Sequence, residues 1–279
     1  MARKPGLKWT VWIKYTTVGK EMMPGILVMK TGTTLPSLLA RQGDFEDWVI
    51  SGLDVPPDRV LVVDVQAGAM LPEPGGVAGV VITGSHAMVT DHEPWSERAA
   101  AWLRRAVARQ TPVLGICYGH QLLAYALGGK VGNNPHGTET GTVDVYLNEA
   151  GYADRLLGGL ANPLRMQVSH QQTVLRLPPG ARHLAWSDRD AQQALRVGDS
   201  AWGVQFHPEF NAAAARAYAQ DEQELLRAEG QDPAWINAQI EETSYGRAIL
   251  KRFAQIATGT EPRHSVTPFP APATTDPVE

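Results

Sequence analysis

The sequence holds a single cysteine, Cys117, in 279 residues. No internal disulfide is possible, and a free reactive thiol suits a reducing compartment, so the cytoplasm is the expected location. No apolar run approaches the ~20 residues of a membrane span, so no membrane association is expected. Neither charge sign dominates: 25 Lys and Arg stand against 29 Asp and Glu, for a net charge of -4. The basic residues are scattered, which argues against a nucleic-acid partner. No Gly-x-x-x-x-Gly-Lys-Ser/Thr loop occurs, so the usual phosphate cradle of a nucleotide-using domain is missing. His92, His136, His183 and His264 form no cluster with metal-ligand spacing, and neither a metal nor a cofactor is expected. There are no internal repeats. What remains is the composition of an ordinary soluble globular protein, 43% hydrophobic, long enough for one large α/β domain or two small ones.

The one cysteine has an unusual setting. A short apolar run, Val113-Leu114-Gly115-Ile116, leads into it, and a helical pattern follows with Leu122, Leu123, Ala126 and Leu127 on one face. Cys117 thus lies in a turn between a buried strand and a helix, with Gly115 and Gly119 two residues to either side. That is the Gly-x-nucleophile-x-Gly frame of a nucleophile elbow, with sulfur in place of oxygen. In so sharp a turn a side chain at either glycine would strike the adjoining strand or helix. A helix N-terminus behind the sulfur favours a thiolate.

Around the elbow, apolar runs alternate with helical stretches. Strands are expected at 25–29, 60–65, 77–83 and 113–116, with helices near 37–50, 95–109 and after Cys117. Continuous apolar strands between amphipathic helices imply a parallel sheet covered on both faces. Ligands on such sheets bind at the carboxyl ends of the strands, where Thr83-Gly84-Ser85 and Cys117 both fall. After Gly128 the texture changes. Short alternating runs at 138–147, 164–169, 172–177, 183–187 and 193–197 read as antiparallel strands added to the parallel core. A last strand, 202–206, delivers His207-Pro208-Glu209, and helices are expected at 211–228 and 233–257.

The expected fold class is therefore α/β, a flavodoxin-like three-layer fold with a mostly parallel central sheet and an added antiparallel region. Residues 25–258 form the domain. Residues 1–24, Lys-rich with Trp9 and Trp12, lack the apolar core and cleavage site of a signal peptide and are expected to be a poorly ordered extension. Residues 259–279 carry Pro262, Pro268, Pro270, Pro272 and Pro277 and are expected to be a disordered tail.

A thiol nucleophile needs a base within hydrogen-bond reach and a group that orients the base. His207 and Glu209 can supply both. In an extended segment residues i and i+2 point the same way, and Pro208 restricts His207 to extended conformations. Alone, a His-Pro-Glu tripeptide is most often only a turn; joined to the elbow it reads as half of a catalytic site.

GICYGHQLLA followed by GVQFHPEF resembles the triad-type class I glutamine amidotransferase family. VITGSHAMV resembles that family's oxyanion strand and loop, and QVSHQQTV its substrate-binding loop. The resemblance covers residues 25–258. It implies that Cys117 attacks the side-chain amide of glutamine to give a γ-glutamyl thioester, with His207 as base and Glu209 as the orienting carboxylate. It implies an oxyanion hole from the backbone N–H groups of Gly84 and Tyr118, and substrate contacts from Gln121, Ser169 and His170. The loop Thr83-Gly84-Ser85-His86 departs from the common Gly-Gly-Pro form. Together with Gly43–Trp48 it resembles free-standing members related to GMP-synthase-like amidotransferases and plant γ-glutamyl peptidases.

Two enzymatic uses of this chemistry follow from the resemblance. In the first, the chain is a glutaminase half that hands ammonia to a separate synthetase subunit or acceptor. In the second, it is a self-sufficient hydrolase of γ-glutamyl peptides or amides that needs no partner. A non-enzymatic binding protein is the third reading, and an intact Cys117, His207 and Glu209 oppose it.

Overall fold

The computed structural model describes residues 25–261. The expected amino-terminal extension, and the Pro-rich tail from residue 262 onward, lie outside the described residues. The parallel strands are β1 (Ile26–Lys30), β2 (Val60–Asp64), β3 (Gly79–Ile82) and β4 (Val113–Ile116). Then come β5 (Lys130–Asn133), β6 (Glu139–Leu147), β7 (Leu164–His170), β8 (Gln172–Arg176), β9 (Ala181–Trp186), β10 (Ala194–Val197) and β11 (Ala201–Val204). Nine of them form one sheet in the order β2-β1-β3-β4-β11-β10-β9-β6-β7. The first five in that order run parallel, and the remaining four join antiparallel. β5 and β8 pair separately. The short β5 gave no sequence signal, since Lys130-Val131-Gly132-Asn133 holds one aliphatic side chain.

Strand periodicity of two assigns the core to two faces. Ile26 and Val28 of β1 pack with Val49 and Leu53 of the helix Phe45–Leu53 and with Ile249 and Phe253 of the last helix, Tyr245–Thr258. Leu27 and Met29, one residue out of phase, face the other way. They pack with Ala99, Trp102 and Leu103 on the helix Pro94–Ala108 and with Leu122 and Leu123 on the elbow helix, Tyr118–Ala126. Helices thus cover both faces of the parallel strands, in the three layers the sequence predicts. Among the described residues no helix is long and apolar enough to cross a membrane.

Three expected helices are broken. The stretch at 37–50 divides into Pro36–Gln42 and Phe45–Leu53, because Gly43 turns at φ 85° and Asp44 starts a new helix. Asp44 and Asp47 form a reciprocal capping box, with the Asp44 N–H 2.9 Å from Asp47 Oδ2. The carboxyl-terminal pair becomes four helices: Ala212–Asp221, Gln223–Ala228, Pro233–Gln239 and Tyr245–Thr258. Ile240 leaves the helical conformation at ψ 123° and is buried against Ala212 and Ala215. The last helix begins against the His-Pro-Glu turn, where a Cβ on Gly246 would lie 2.1 Å from the Pro208 carbonyl oxygen.

Candidate active site

Cys117 follows β4 directly and caps the elbow helix with φ 50° and ψ -102°. A non-glycine residue held at positive φ costs on the order of 1–3 kcal/mol, and such strain collects at functional sites. Its N–H is fixed by the Val204 carbonyl at 2.9 Å, and its thiol points to the Ser169 carbonyl at 3.7 Å. The flanking glycines are required by space. A Cβ on Gly115 would lie 2.3 Å from the Gly119 carbonyl oxygen, and one on Gly119 would lie 2.6 Å from that of Ile82.

His207 comes from the end of β11, the strand beside β4, so the parallel register brings it to the sulfur. Its N–H bonds the Gln167 carbonyl at 2.8 Å, which clamps it to β7, two residues before Ser169. Its Nδ1 lies 2.7 Å from Glu209 Oε1, and the Glu209 side chain is fully buried behind it. Phe210 stacks on the imidazole at 3.9 Å, and Phe45 lies parallel to it 6.5 Å away. Burial opposes the charged ring, but Glu209, then Cys117 by charge and hydrogen bond, outweigh it and push His207 up to about 10.

A cavity of about 270 Å³ opens over the sulfur. This is near the small end of ligand pockets, roughly 300–1,000 Å³. Cys117, Tyr118, Gln121, Ser169, His170 and His207 all line it. Tyr118 opens the elbow helix, so its N–H is one of the orphan donors of a helix start. Its hydroxyl is buried against Ser96 Oγ at 2.6 Å. Gly84 sits behind the wall rather than on it: a Cβ there would meet His207 Cε1 at 3.1 Å, and the loop residues on the cavity are Ser85 to Met88. Gln121 is buried, with its Nε2 donating to the Gln172 carbonyl at 2.7 Å and to Gln205 Oε1 at 3.0 Å.

His170 is held between acceptors. Its Nε2 lies 3.0 Å from Glu139 Oε2 and 3.8 Å from Asp190 Oδ2, and Nδ1 meets the Gln172 carbonyl at 3.1 Å. Burial works against the charge, and the two carboxylates overcome it to bring the ring up to about 9. Glu139, His170 and Asp190 offer ligand atoms within 4.8 Å of one another, a grouping no sequence spacing reveals. With both ring nitrogens turned to acceptors, the trio reads as an ion-pair network that fixes the end of β7.

Of the remaining histidines, His86 lines the cavity with Nε2 3.1 Å from the Tyr218 hydroxyl, and burial lowers its pKa. His120 is fully buried against Gly203, away from the cavity wall, and desolvation pushes it down to about 3. Sequence reasoning missed Phe45, Tyr218 and Glu222 on the wall. Phe45 stands in the Gly43–Trp48 stretch singled out for its resemblance; Tyr218 and Glu222 sit on a helix pattern that offers no such signal.

Residues 60–222 match the sequence model described as glutamine amidotransferase class-I. A glutamine-hydrolysing GMP synthase of Aeropyrum pernix is 36% identical over 187 residues, 67% of this chain and 33% of that protein. One subunit of a glutamine-hydrolysing GMP synthase from Ignicoccus hospitalis is 43% identical over 99 residues, 35% of this chain and 50% of that one. The match thus spans a third to a half of these curated relatives. A crystal structure of a glutamine amido transferase from Methylobacillus flagellatus has a TM-score of 0.65 at 26% identity, over 86% of this chain and 94% of that one.

Proposed function

The chain belongs to the class I glutamine amidotransferase family, and from that premise we propose that it hydrolyses the γ-amide of glutamine through Cys117 and releases ammonia for a separate acceptor or synthetase. The carrying observation is the meeting of a strained, glycine-flanked cysteine with a buried His–Glu pair at the floor of one small cavity.

In the proposed reaction the Cys117 proton already rests on His207 when the sulfur attacks the amide carbon. The tetrahedral oxyanion faces backbone N–H donors at the start of the elbow helix, Tyr118 foremost. For the second donor the resemblance points to Gly84. Collapse breaks the C–N bond, and His207 returns the proton to the departing nitrogen, giving ammonia and a γ-glutamyl thioester. Water then attacks the thioester, His207 takes its proton, and glutamate leaves as the thiol re-forms. Glu209 holds the imidazole in register and balances its charge throughout. Ser169 and His170 border the space left for the rest of the substrate. A partner that consumes the ammonia is supported by the Ignicoccus relative, whose name makes it one subunit of a GMP synthase.

Ammonia release by the purified protein tests the reading. L-glutamine should yield equal amounts of glutamate and ammonia, and iodoacetamide should stop it. Turnover of a γ-glutamyl dipeptide with no ammonia from glutamine would instead make this a self-sufficient γ-glutamyl hydrolase. Glutamine turnover indifferent to alkylation would remove Cys117 from the reaction.

A further inference from the structure

One carboxylate on the cavity wall has no part in the Cys–His–Glu arrangement. Glu222 follows the helix Ala212–Asp221 and lines the cavity beside Asp221. Its Oε1 accepts from Ser169 Oγ at 2.9 Å and its Oε2 from Thr140 Oγ1 at 2.5 Å. An ionised carboxylate has about four acceptor sites, so two bonds leave capacity toward the cavity. Among the described residues no lysine or arginine forms an ion pair with it. A half-buried carboxylate that no lysine or arginine pairs is costly to keep charged, and an arriving cation offsets that cost.

Ser169 relates this carboxylate to the reacting sulfur. Its carbonyl faces the Cys117 thiol at 3.7 Å, while its hydroxyl binds Glu222. A γ-glutamyl group spans the same way: its amide carbon must reach Cys117, and its α-ammonium lies a few bonds further on.

We propose that Glu222 is the ammonium anchor of the site, taking the α-amino group of the γ-glutamyl substrate and restricting the cavity to amides that carry a free α-ammonium. The proposal rests on the glutaminase reading of Cys117 and adds to it a specificity that the triad cannot supply. Burial raises the Glu222 carboxyl, while Thr140, Ser169 and His170 pull it down; a bound ammonium adds to the second group. Asp221, exposed at the rim, contributes charge of the same sign. Glutamine with a blocked α-amino group, and glutamine within a peptide, are excluded as substrates.

The test compares L-glutamine with glutaramate, the same amide without its α-amino group, by kcat/KM. The wild type should favour glutamine by on the order of 100-fold. Glu222→Gln keeps an acceptor for one hydroxyl but loses the charge. It should cut kcat/KM for glutamine by a similar factor, mainly through KM, and change glutaramate less than about threefold. Thr140→Ala removes a tether and leaves the charge, so the preference should survive. Equal losses on both substrates in Glu222→Gln would make Glu222 merely structural and overturn the proposal. Should that variant not fold, the wild type still decides: equal turnover of glutaramate, or of N-acetyl-L-glutamine, overturns the proposal alone. A wild type that turns over none of these amides, with Cys117 alkylated freely in the presence of glutamine, overturns the glutaminase reading and this proposal together.

Discussion

His207 and Glu209 are joined across Pro208 by a 2.7 Å contact between Nδ1 and Oε1, with the carboxylate fully buried on the side of the ring away from the cavity. One nitrogen is thereby committed to the carboxylate and the other is left for the sulfur. The two residues should then fail differently when removed. His207→Ala takes away the proposed proton carrier, whereas Glu209→Ala leaves a ring that still stacks on Phe210, on a backbone whose N–H the Gln167 carbonyl still holds. We expect His207→Ala to cost kcat roughly ten- to a hundredfold more than Glu209→Ala, as in triads whose base and carboxylate are removed separately. Steady-state ammonia release measures both. Equal or reversed losses would contradict the assigned roles.

Cys117→Ala should lower turnover by at least about a thousandfold, since the remaining groups have no nucleophile to activate. The fold should persist, because alanine removes one sulfur from a site already open to the cavity. Far-UV circular dichroism and the denaturation midpoint should match the wild type. A variant that kept the wild-type rate would place the nucleophile elsewhere.

Both raised histidines make stability depend on alkaline pH. His207 is pushed up to about 10 and His170 up to about 9, from an ordinary value of 6.5. Folding therefore favours the protonated rings. That contribution is fully present below about pH 6.5 and is lost as pH rises through about 9 for His170 and about 10 for His207. The melting temperature should fall between pH 7 and pH 10. Glu139→Gln removes the main partner of His170 and should flatten the part of the decline below about pH 9, as read by differential scanning calorimetry. An unchanged slope in that variant would mean that His170 is neutral in the folded protein.

Much of this site was legible in the sequence because its parts are local. The elbow needs small residues at fixed offsets from Cys117, and the His-Pro-Glu turn carries imidazole and carboxylate within three residues. The alternation of apolar strands with amphipathic helices then puts both at the same end of one sheet. The trio of Glu139, His170 and Asp190 was not legible, nor was Glu222 beside Ser169. Each comes from a distant element, is of a common type, and acquires meaning only when β6, β7 and the following helices close around the cavity. The break at Gly43-Asp44 was readable in principle, since Asp44 and Asp47 stand at capping-box spacing.

The elbow glycines give the sharpest test of how tightly the fold holds Cys117. Gly119 enters the elbow helix against β3, and a methyl group there would lie 2.6 Å from the Ile82 carbonyl oxygen and 2.7 Å from its Cβ. A methyl on Gly115 would lie 2.3 Å from the backbone oxygen of Gly119. Neither contact is with a flexible side-chain end, so the helix must lift from the sheet and carry Cys117 away from His207. Gly115→Ala and Gly119→Ala should each cost about 1–3 kcal/mol in urea denaturation, the usual penalty of overpacking, and should lose most activity as well. Gly76 is the control: nothing lies within 4 Å of a Cβ built there, so Gly76→Ala should change stability by less than about 0.5 kcal/mol and leave turnover intact. If Gly119→Ala behaved like Gly76→Ala, the elbow would be looser than its contacts indicate, and the strained φ of Cys117 would have to be maintained by its backbone hydrogen bonds to Val204 and Gln121.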